Sequence, residues 1–303
     1  MSRTVAVAVP RKGRPLEAVL ERLSTVTDAE ELADSVSSTL RYEKALTKGT
    51  QSTDHGPYER LAEYSDPVDP FAPEYTLLRD DRDGYPRRIV FDSATVTVGD
   101  IDLQLIGREE PFRALRTHEF ALGFDSADLV LEEVVELRRD GVGSLADVNA
   151  RINPRDTDVR VVTGLGDTVY HTLMAMPEVL GPGETLDRSF IKTYDGPLCI
   201  SARYERLVSA VLGTDATDGV GFVYPDPTVE EEHAIAETGI GIYLTMTGST
   251  AREHGLVLGE SLFPSETVLM ENCAESDEAI DQIKHALTEP PLETELSVTL
   301  SHN

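Results

Sequence analysis

The sequence predicts an α/β protein built around a largely parallel sheet. Segments with strand-like and helix-like hydrophobic patterns alternate along most of the 303 residues. Hydrophobic residues make up 40% of the chain, which is enough to form a core and excludes wholesale disorder. The length allows one large domain or two modest ones.

The first part of the chain begins with a strand and a helix and then becomes polar. Residues 4–9 predict a buried strand, and residues 10–14 predict a basic turn. Residues 15–23 predict a helix whose apolar face is formed by Leu16, Val19, Leu20 and Leu23. Residues 25–88 are polar and acidic, with a proline-rich piece at 67–73. We expect an insertion there, with two short helices and partial mobility.

Alternation resumes after residue 88. Strands are predicted at 89–91, 95–98, 101–106, 120–124, 159–163, 168–176, 198–202, 221–224, 240–245, 258–263 and 267–271. Helices are predicted at 111–117, 127–137, 204–212, 226–237 and 277–288, with a shorter one that follows Thr250 and ends at His254. Asp226 is a plausible N-cap with Pro227 at the first helical position. The last predicted helix has an inward face formed by Ile280, Ile283 and Leu287.

The charge of the chain excludes some partners. Acidic residues outnumber basic ones 55 to 27, for a formal net charge of −28. Such a surface repels nucleic acid and anionic membranes outside any local basic patch. A carboxylate-rich surface stays hydrated in concentrated salt, which screens its self-repulsion, so the charge indicates a salty environment.

No apolar run reaches 18 residues and the N-terminus is too short for a signal peptide, so we expect a cytoplasmic protein. No histidine or cysteine spacing predicts a metal site.

The strongest local signal is an apolar strand that ends in small hydroxyl residues and glycine, with a helix directly after it. The residues concerned are Thr247, Gly248, Ser249 and Thr250. Backbone N–H groups and hydroxyls at such a helix start form a cradle for phosphate. Threonine and serine before a helix are also ordinary N-caps, so both interpretations stay open.

A second signal lies after the first predicted strand, where Lys12, Gly13 and Arg14 follow Arg11. Cations at the carboxyl end of a strand meet polyanionic ligands in α/β proteins. Arg108 also follows a strand directly and is a candidate clamp for phosphate or carboxylate. The alternatives are a solvated basic turn and, for Arg108, a surface ion pair.

Taken together and in order, these segments resemble the ATP phosphoribosyltransferases of histidine biosynthesis. The basic turn Pro-Arg-Lys-Gly-Arg-Pro-Leu is similar to that family's Pro-Lys-Gly-Arg-Leu turn, and Met246 through Leu256 is similar to its phosphoribosyl loop. Further collinear similarities lie at residues 106–112, 121–126, 164–166, 200–204 and 268–272. The resemblance covers about residues 3–24 and 88–285.

The resemblance implies a two-lobed fold of periplasmic-binding-protein-like type II, with mixed, mostly parallel sheets. Lobe I would hold residues 1–166 with the insertion, and lobe II residues 167–257. Residues 258–285 would return to lobe I, and residues 286–303 would form a tail. It also implies a cleft for a phosphorylated small molecule: ATP and phosphoribosyl pyrophosphate with Mg²⁺. The resemblance leaves open whether the chain forms a homo-oligomer.

The chain departs from the family at three acidic positions. Two family aspartates before the phosphate loop correspond here to Gly239 and Tyr243, and a third corresponds to Ala121. Two functions therefore stay open. One is phosphoribosyl transfer to ATP, and the other is a non-catalytic phosphoribosyl- or nucleotide-binding sensor of the same fold. A third, an extracytoplasmic solute-binding protein, lacks support because no leader is recognised.

Overall fold

The computed structural model describes residues 3–66, 68–79, 87–138, 140–226, 229–292, 294 and 296–300. The chain divides into two compact units. Unit 1 comprises Met1–Asp125, Thr157–Asp167 and Thr267–Thr294, and unit 2 comprises Ser126–Asp156, Thr168–Glu266 and Glu295–Asn303. Both units combine helices with a mixed sheet, so the predicted α/β class is confirmed.

Unit 1 contains a seven-stranded sheet. Its elements are β1 (Arg3–Pro10), α1 (Arg14–Val26), α2 (Glu30–Thr47), α3 (Pro57–Tyr64), β2 (Glu74–Arg79), β3 (Arg87–Val98), β4 (Ile101–Arg108), α4 (Pro111–Arg116), β5 (Leu122–Ser126), β6 (Val159–Gly164), β12 (Thr267–Asn272) and α12 (Glu278–Thr288). The strand order is β2-β3-β4-β1-β5-β12-β6. β1 pairs in parallel with β4 and β5, whereas β2, β3 and β4 pair antiparallel and β12 pairs antiparallel with β6.

The core of unit 1 forms where α1, α2 and α12 pack their apolar faces against the sheet. Leu16, Val19, Leu20 and Leu23 of α1 are all at most 2% exposed, as their helical spacing predicted. From α12, Ile283 and Leu287 join the same cluster. The two amphipathic faces that the sequence predicted are therefore confirmed.

Unit 2 contains a five-stranded sheet. Its elements are α5 (Ala127–Glu133), α6 (Leu145–Ala150), β7 (Val169–Ala175), α7 (Arg188–Ile191), β8 (Pro197–Ile200), α8 (Glu205–Leu212), α9 (Thr214–Thr217), β9 (Gly221–Val223), α10 (Glu231–Thr238), β10 (Ile240–Thr245), α11 (Ser249–Glu253) and β11 (Val257–Ser265). The strand order is β11-β7-β10-β8-β9. β8 pairs in parallel with β9 and β10, and β7 pairs antiparallel with β10 and β11.

The predicted parallel character is less extensive than expected. Parallel pairs occupy the middle of the first sheet and one side of the second, and antiparallel strands extend both sheets. The insertion supplies one antiparallel extension, because β2 pairs with β3 along its whole length. Its helix α2 is also longer than predicted, since Ala33 and Val36 bury one face of an otherwise polar segment. Residue 67 and residues 80–86, where part of the expected mobility falls, lie outside the described residues.

Several predicted boundaries differ from those observed. Residues 126–156, which the sequence placed in lobe I, belong to unit 2, and so do residues 258–266, which were expected to return to lobe I. β11 stays in unit 2 because it pairs with β7. The predicted tail begins inside α12, and Val298 forms an antiparallel bridge with Val142. Strand pairing is a long-range contact, so local periodicity does not assign it to a unit.

The helix predicted from residue 226 begins later. Asp226 is not its N-cap, because α10 starts at Glu231 and is preceded by Glu230, whose side chain makes no capping hydrogen bond. Pro227 and Thr228 lie outside the described residues. Helix α5 likewise ends at Glu133 rather than residue 137. Within the part of the chain that the structure describes, no helix is long and apolar enough to cross a membrane.

A buried contact between an aspartate and a histidine lies at the start of α5 in unit 2. Asp128 Oδ2 lies 2.8 Å from Nε2 of His171 on β7, and both side chains are at most 5% exposed. The His171 ring stacks on Phe263, with ring centroids 4.3 Å apart. Removing one partner of a buried pair leaves the other polar group without compensation, and this is more costly than losing a surface pair.

We expect Asp128→Ala to lower the free energy of unfolding by about 3 kcal/mol, because His171 would lose its hydrogen bond to this carboxylate while staying buried. Denaturant unfolding in concentrated KCl measures the change. The matched control is Asp215→Ala, an exposed aspartate of the same unit, which should change stability by about 0.5 kcal/mol or less. Equal losses in the two variants would contradict a stabilising role for the buried pair.

Candidate anion-binding site

The basic turn of unit 1 and Arg108 lie at the same edge of the sheet. β1 and β4 run in parallel with Pro10 opposite Arg108, so residues 11–14 leave the sheet beside Arg108. Gly13 precedes α1 with φ 80°, a conformation that favours glycine. Gly107 is equally constrained, because a Cβ there would lie 2.6 Å from the carbonyl oxygen of Phe91. Two glycines therefore shape the backbone on which these cations are placed.

Arg14 forms an ion pair with Asp167. Its Nη1 also donates to the Asp167 carbonyl oxygen at 2.6 Å, and the Arg14 side chain is 17% exposed. The same carboxylate accepts from the N–H and the hydroxyl of Thr267, at 2.8 and 2.7 Å. Arg14 thus stabilises the junction of α1 with β12, a role that the sequence did not reveal because Asp167 is 153 residues away.

The other predicted cations of unit 1 are more accessible. Lys12 is exposed. Arg108 is 37% exposed, with its Nε 4.0 Å from Glu119 and its guanidinium 5.0 Å above the ring of Phe120. An ion pair at 4.0 Å in partial contact with solvent is weak. The ion-pair alternative for Arg108 is therefore present in the structure, but it does not bury the cation.

The predicted phosphate loop lies between β10 and α11 in unit 2. Gly248 adopts the left-handed conformation, with φ 67° and ψ 18°, and precedes the first residue of α11. A Cβ at this position would lie 2.4 Å from Leu258 Cδ1, so only glycine fits here without rearrangement. Thr247 and Ser249 are exposed, Thr250 is half-buried and Gly248 is buried.

Two amides of this loop are already hydrogen-bonded. The Gly248 N–H donates to Thr245 Oγ1 at 3.0 Å, and the Ser249 N–H donates to Thr247 Oγ1 at 3.4 Å. The hydroxyl oxygens of Thr247 and Ser249 lie 3.1 Å apart. The capping interpretation therefore describes the loop as it stands, and an incoming anion would have to compete with these hydroxyls for the amides.

One residue at the loop was not among the predicted site residues. Arg252 Nη2 donates to the carbonyl oxygen of Thr247 at 2.9 Å, which holds the guanidinium against the loop. A Cβ on Gly248 would lie 3.1 Å from Arg252 Nη1. The signal in the sequence was the position of Arg252 within the segment that resembles the phosphoribosyl loop.

The three positions without aspartate have structural roles of their own. Gly239 ends α10 with φ 100°. Burial, together with the nearby glutamates Glu231 and Glu232, raises the pKa of Tyr243. The carbonyl oxygen of Ala121 accepts from Asn272 N–H at 2.8 Å, which joins β5 to β12.

Among the described residues, no group of three His, Cys, Asp or Glu is arranged to hold a metal ion.

The chain is similar to solved structures at low identity. An ATP phosphoribosyl transferase (HisG:HisZ) complex from Thermotoga maritima is 12% identical, with 94% of this chain and 97% of that chain covered and a TM-score of 0.46. YhfZ from Shigella flexneri is 11% identical, with 94% and 86% covered and a TM-score of 0.44. The regulatory domain of MetR, a LysR family regulator from N. meningitidis, is 11% identical, with 62% and 80% covered and a TM-score of 0.35.

No curated protein matches the chain. A model of one protein family, described as halobacterial ATP phosphoribosyltransferase, matches residues 1–298. That match extends over both units and includes the basic turn, the phosphate loop and the insertion. The chain therefore belongs to the family of halobacterial ATP phosphoribosyltransferases.

Proposed function

We propose that this chain transfers the phosphoribosyl group of phosphoribosyl pyrophosphate to ATP, which is the first step of histidine biosynthesis. The observation that carries the proposal is the family match over residues 1–298. An exposed hydroxyl loop with a left-handed glycine, followed by a cation, supports it. A biosynthetic enzyme that draws on ATP would work in the cytoplasm.

The reaction breaks the bond between ribose C1 and a pyrophosphate oxygen and forms a bond from C1 to an adenine nitrogen. Negative charge builds up on the leaving pyrophosphate while C1 becomes cation-like. Cations and hydrogen-bond donors aimed at the leaving group therefore lower the barrier. In this proposal Thr247, Gly248, Ser249 and Thr250 hold the 5′-phosphate and leave the reacting carbon free.

The basic turn of unit 1 would supply the charge for polyphosphate. Lys12 and Arg108 are the more exposed of these cations, while Gly13 sets the path of the turn. Arg14 contributes to the same edge of the sheet, although its ion pair with Asp167 already satisfies part of its guanidinium. We therefore propose Lys12 and Arg108 as the main polyphosphate contacts and Arg14 as a weaker one.

Magnesium would enter with the substrate. The described residues offer no protein ligand set for a metal ion. Mg²⁺ keeps several waters and commonly binds through substrate phosphates, so a magnesium pyrophosphate group needs few protein ligands. Protein cations and donors would then contact the phosphate oxygens that the metal leaves exposed.

A second function has its own support. The positions of Gly239, Tyr243 and Ala121 carry no carboxylate, although the resembling enzymes have aspartate there. A sensor or regulatory paralogue needs only to bind phosphoribosyl or nucleotide ligands, so it would retain the loop and lose the acids. The two functions differ in turnover and agree in binding.

A turnover assay distinguishes the transferase from the sensor. We expect purified protein in concentrated KCl, given ATP, phosphoribosyl pyrophosphate and Mg²⁺, to release pyrophosphate at a rate that saturates with both substrates. A coupled assay for pyrophosphate measures the rate, and omission of ATP is the control. Ligand-induced thermal stabilisation without pyrophosphate release would favour the sensor over the transferase.

The loop has a test of its own. We expect Gly248→Asp to abolish binding of phosphoribosyl pyrophosphate, because the new carboxylate repels the anion and its Cβ collides with Leu258. Titration calorimetry measures the affinity. The matched control is Gly183→Asp, since Gly183 also has a positive φ, 82°, but has no neighbouring atom within 4 Å of an added Cβ. Unchanged affinity in Gly248→Asp would remove the loop from the site.

A further inference from the structure

A cavity lies at the end of the unit 1 sheet that is opposite the basic turn. β1 pairs with β4 from Arg3 beside Ile101 to Pro10 beside Arg108, so the β3–β4 turn lies near the start of β1 and the basic turn follows its end. At a rise of about 3.3 Å per residue, the length of β1 separates these two places by roughly 20 Å. The cavity is lined by the α1–α2 connection, Phe71 and the β3–β4 turn, so it is distinct from the candidate anion-binding site.

The floor of this cavity is apolar. Val96 is buried in the core of unit 1, and Val26, Leu32 and Val98 pack against that core while part of their surface stays accessible. Phe71, which also lines the cavity, is 49% exposed. The volume of about 650 Å³ is sufficient for a small organic molecule. A ligand with an apolar body would remove this accessible hydrocarbon surface from water.

The charged side chains among the described lining residues are both carboxylates. Asp28 and Glu31 are exposed, and within the described ranges neither side chain has a hydrogen-bond or ion-pair partner. The lining residues that the structure describes include no lysine, arginine or histidine. The cavity therefore attracts cations and repels anions.

The position of these acids next to a helix has a structural explanation as well. Glu31 lies in the first turn of α2, where a carboxylate stabilises the helix dipole, and Asp28 directly precedes the N-cap residue Ala29. The dipole places about half a positive charge at the helix start, which is much less than the negative charge of two carboxylates. The local potential is therefore negative. Helix stabilisation also gives no reason for an accessible apolar floor beside the same two carboxylates.

We propose that this cavity binds a small organic cation with an apolar body, such as an alkylammonium or arylammonium ion. The hydrocarbon part would lie on the apolar floor, and the charge would be neutralised by Asp28 and Glu31. The half-exposed ring of Phe71 adds to the attraction, because an aromatic face attracts cations. An inorganic cation would leave the floor uncovered, and a carboxylate-bearing ligand would be repelled by the two acids. The proposal does not depend on the transferase function.

Benzylamine, benzyl alcohol and benzoate test the charge preference with one ring size, and methylamine carries the charge without the ring. Ligand-observed NMR titration of the full chain at one fixed KCl concentration gives the affinity for each. Benzylamine is protonated at neutral pH and should bind at least about fivefold more tightly than benzyl alcohol, because only its ammonium group pairs with the carboxylates. Benzoate should bind more weakly than benzyl alcohol. Benzylamine that binds no more tightly than benzyl alcohol, or no more tightly than methylamine, overturns the proposal.

A double variant that combines Asp28→Asn with Glu31→Gln identifies the carboxylates. It should reduce the affinity for benzylamine to about that for benzyl alcohol, because both ligands then bind through the floor alone. The matched control combines Glu30→Gln with Asp34→Asn, which removes two exposed charges of the same helix at residues that line a separate groove between α1 and α2. Its affinity for benzylamine should stay within about twofold of that of the unmodified protein. Equal affinities in the two double variants would contradict the assigned role of Asp28 and Glu31.

Phe71→Ala tests the floor of the cavity. The side chain is half-exposed, so we expect the unfolding midpoint without ligand to stay nearly the same. The affinities for benzylamine and benzyl alcohol should both fall about threefold, because both ligands lose apolar contact area. If neither affinity changes, the ligands bind elsewhere and the proposed site is wrong.

Discussion

The arrangement of unit 1 depends on one carboxylate. Asp167 accepts hydrogen bonds from Thr267 through both its oxygens and forms an ion pair with Arg14. These contacts tie the start of α1 to the start of β12, a strand that lies inside the sheet between β5 and β6. A carboxylate with several charge-assisted partners is costly to disturb, because each partner would be left unsatisfied. Arg14, one of the predicted site residues, is therefore engaged in a structural ion pair, and fewer of its N–H groups remain to bind a ligand.

In a strongly acidic chain, a basic residue in the sequence does not always remain available to bind a ligand. At a net charge of −28, carboxylates outnumber basic side chains, and several arginines form ion pairs, among them Arg11, Arg14 and Arg60. In such a chain, clusters of basic residues in the sequence overstate the charge available to a ligand. Arg14 illustrates this, because its pairing with Asp167 appears only in three dimensions. Arg252 differs, because its guanidinium donates to the backbone carbonyl of Thr247.

Local patterns predicted the helices and strands that carry clear periodicity, and they missed what depends on distant pairing. The faces of α1 and α12 followed from helical spacing. The assignment of β11 to unit 2 did not, since it depends on pairing with β7 some ninety residues earlier. Likewise, Thr247 to Thr250 could be singled out from sequence as a turn before a helix. The hydrogen bonds that occupy its amides come from rotatable hydroxyls, whose directions no spacing specifies.

Of the three positions that lack the family's aspartate, Tyr243 has carboxylates nearby. Tyr243 stands where the family has an aspartate, in β10 and four residues before the loop, yet Glu231 and Glu232 of α10 lie near it. Carboxylates therefore lie near this part of β10, supplied by α10 and not by the strand itself. Gly239 ends α10 with a positive φ. Loss of an acidic residue from one sequence position is thus not the same as loss of acidity from its surroundings.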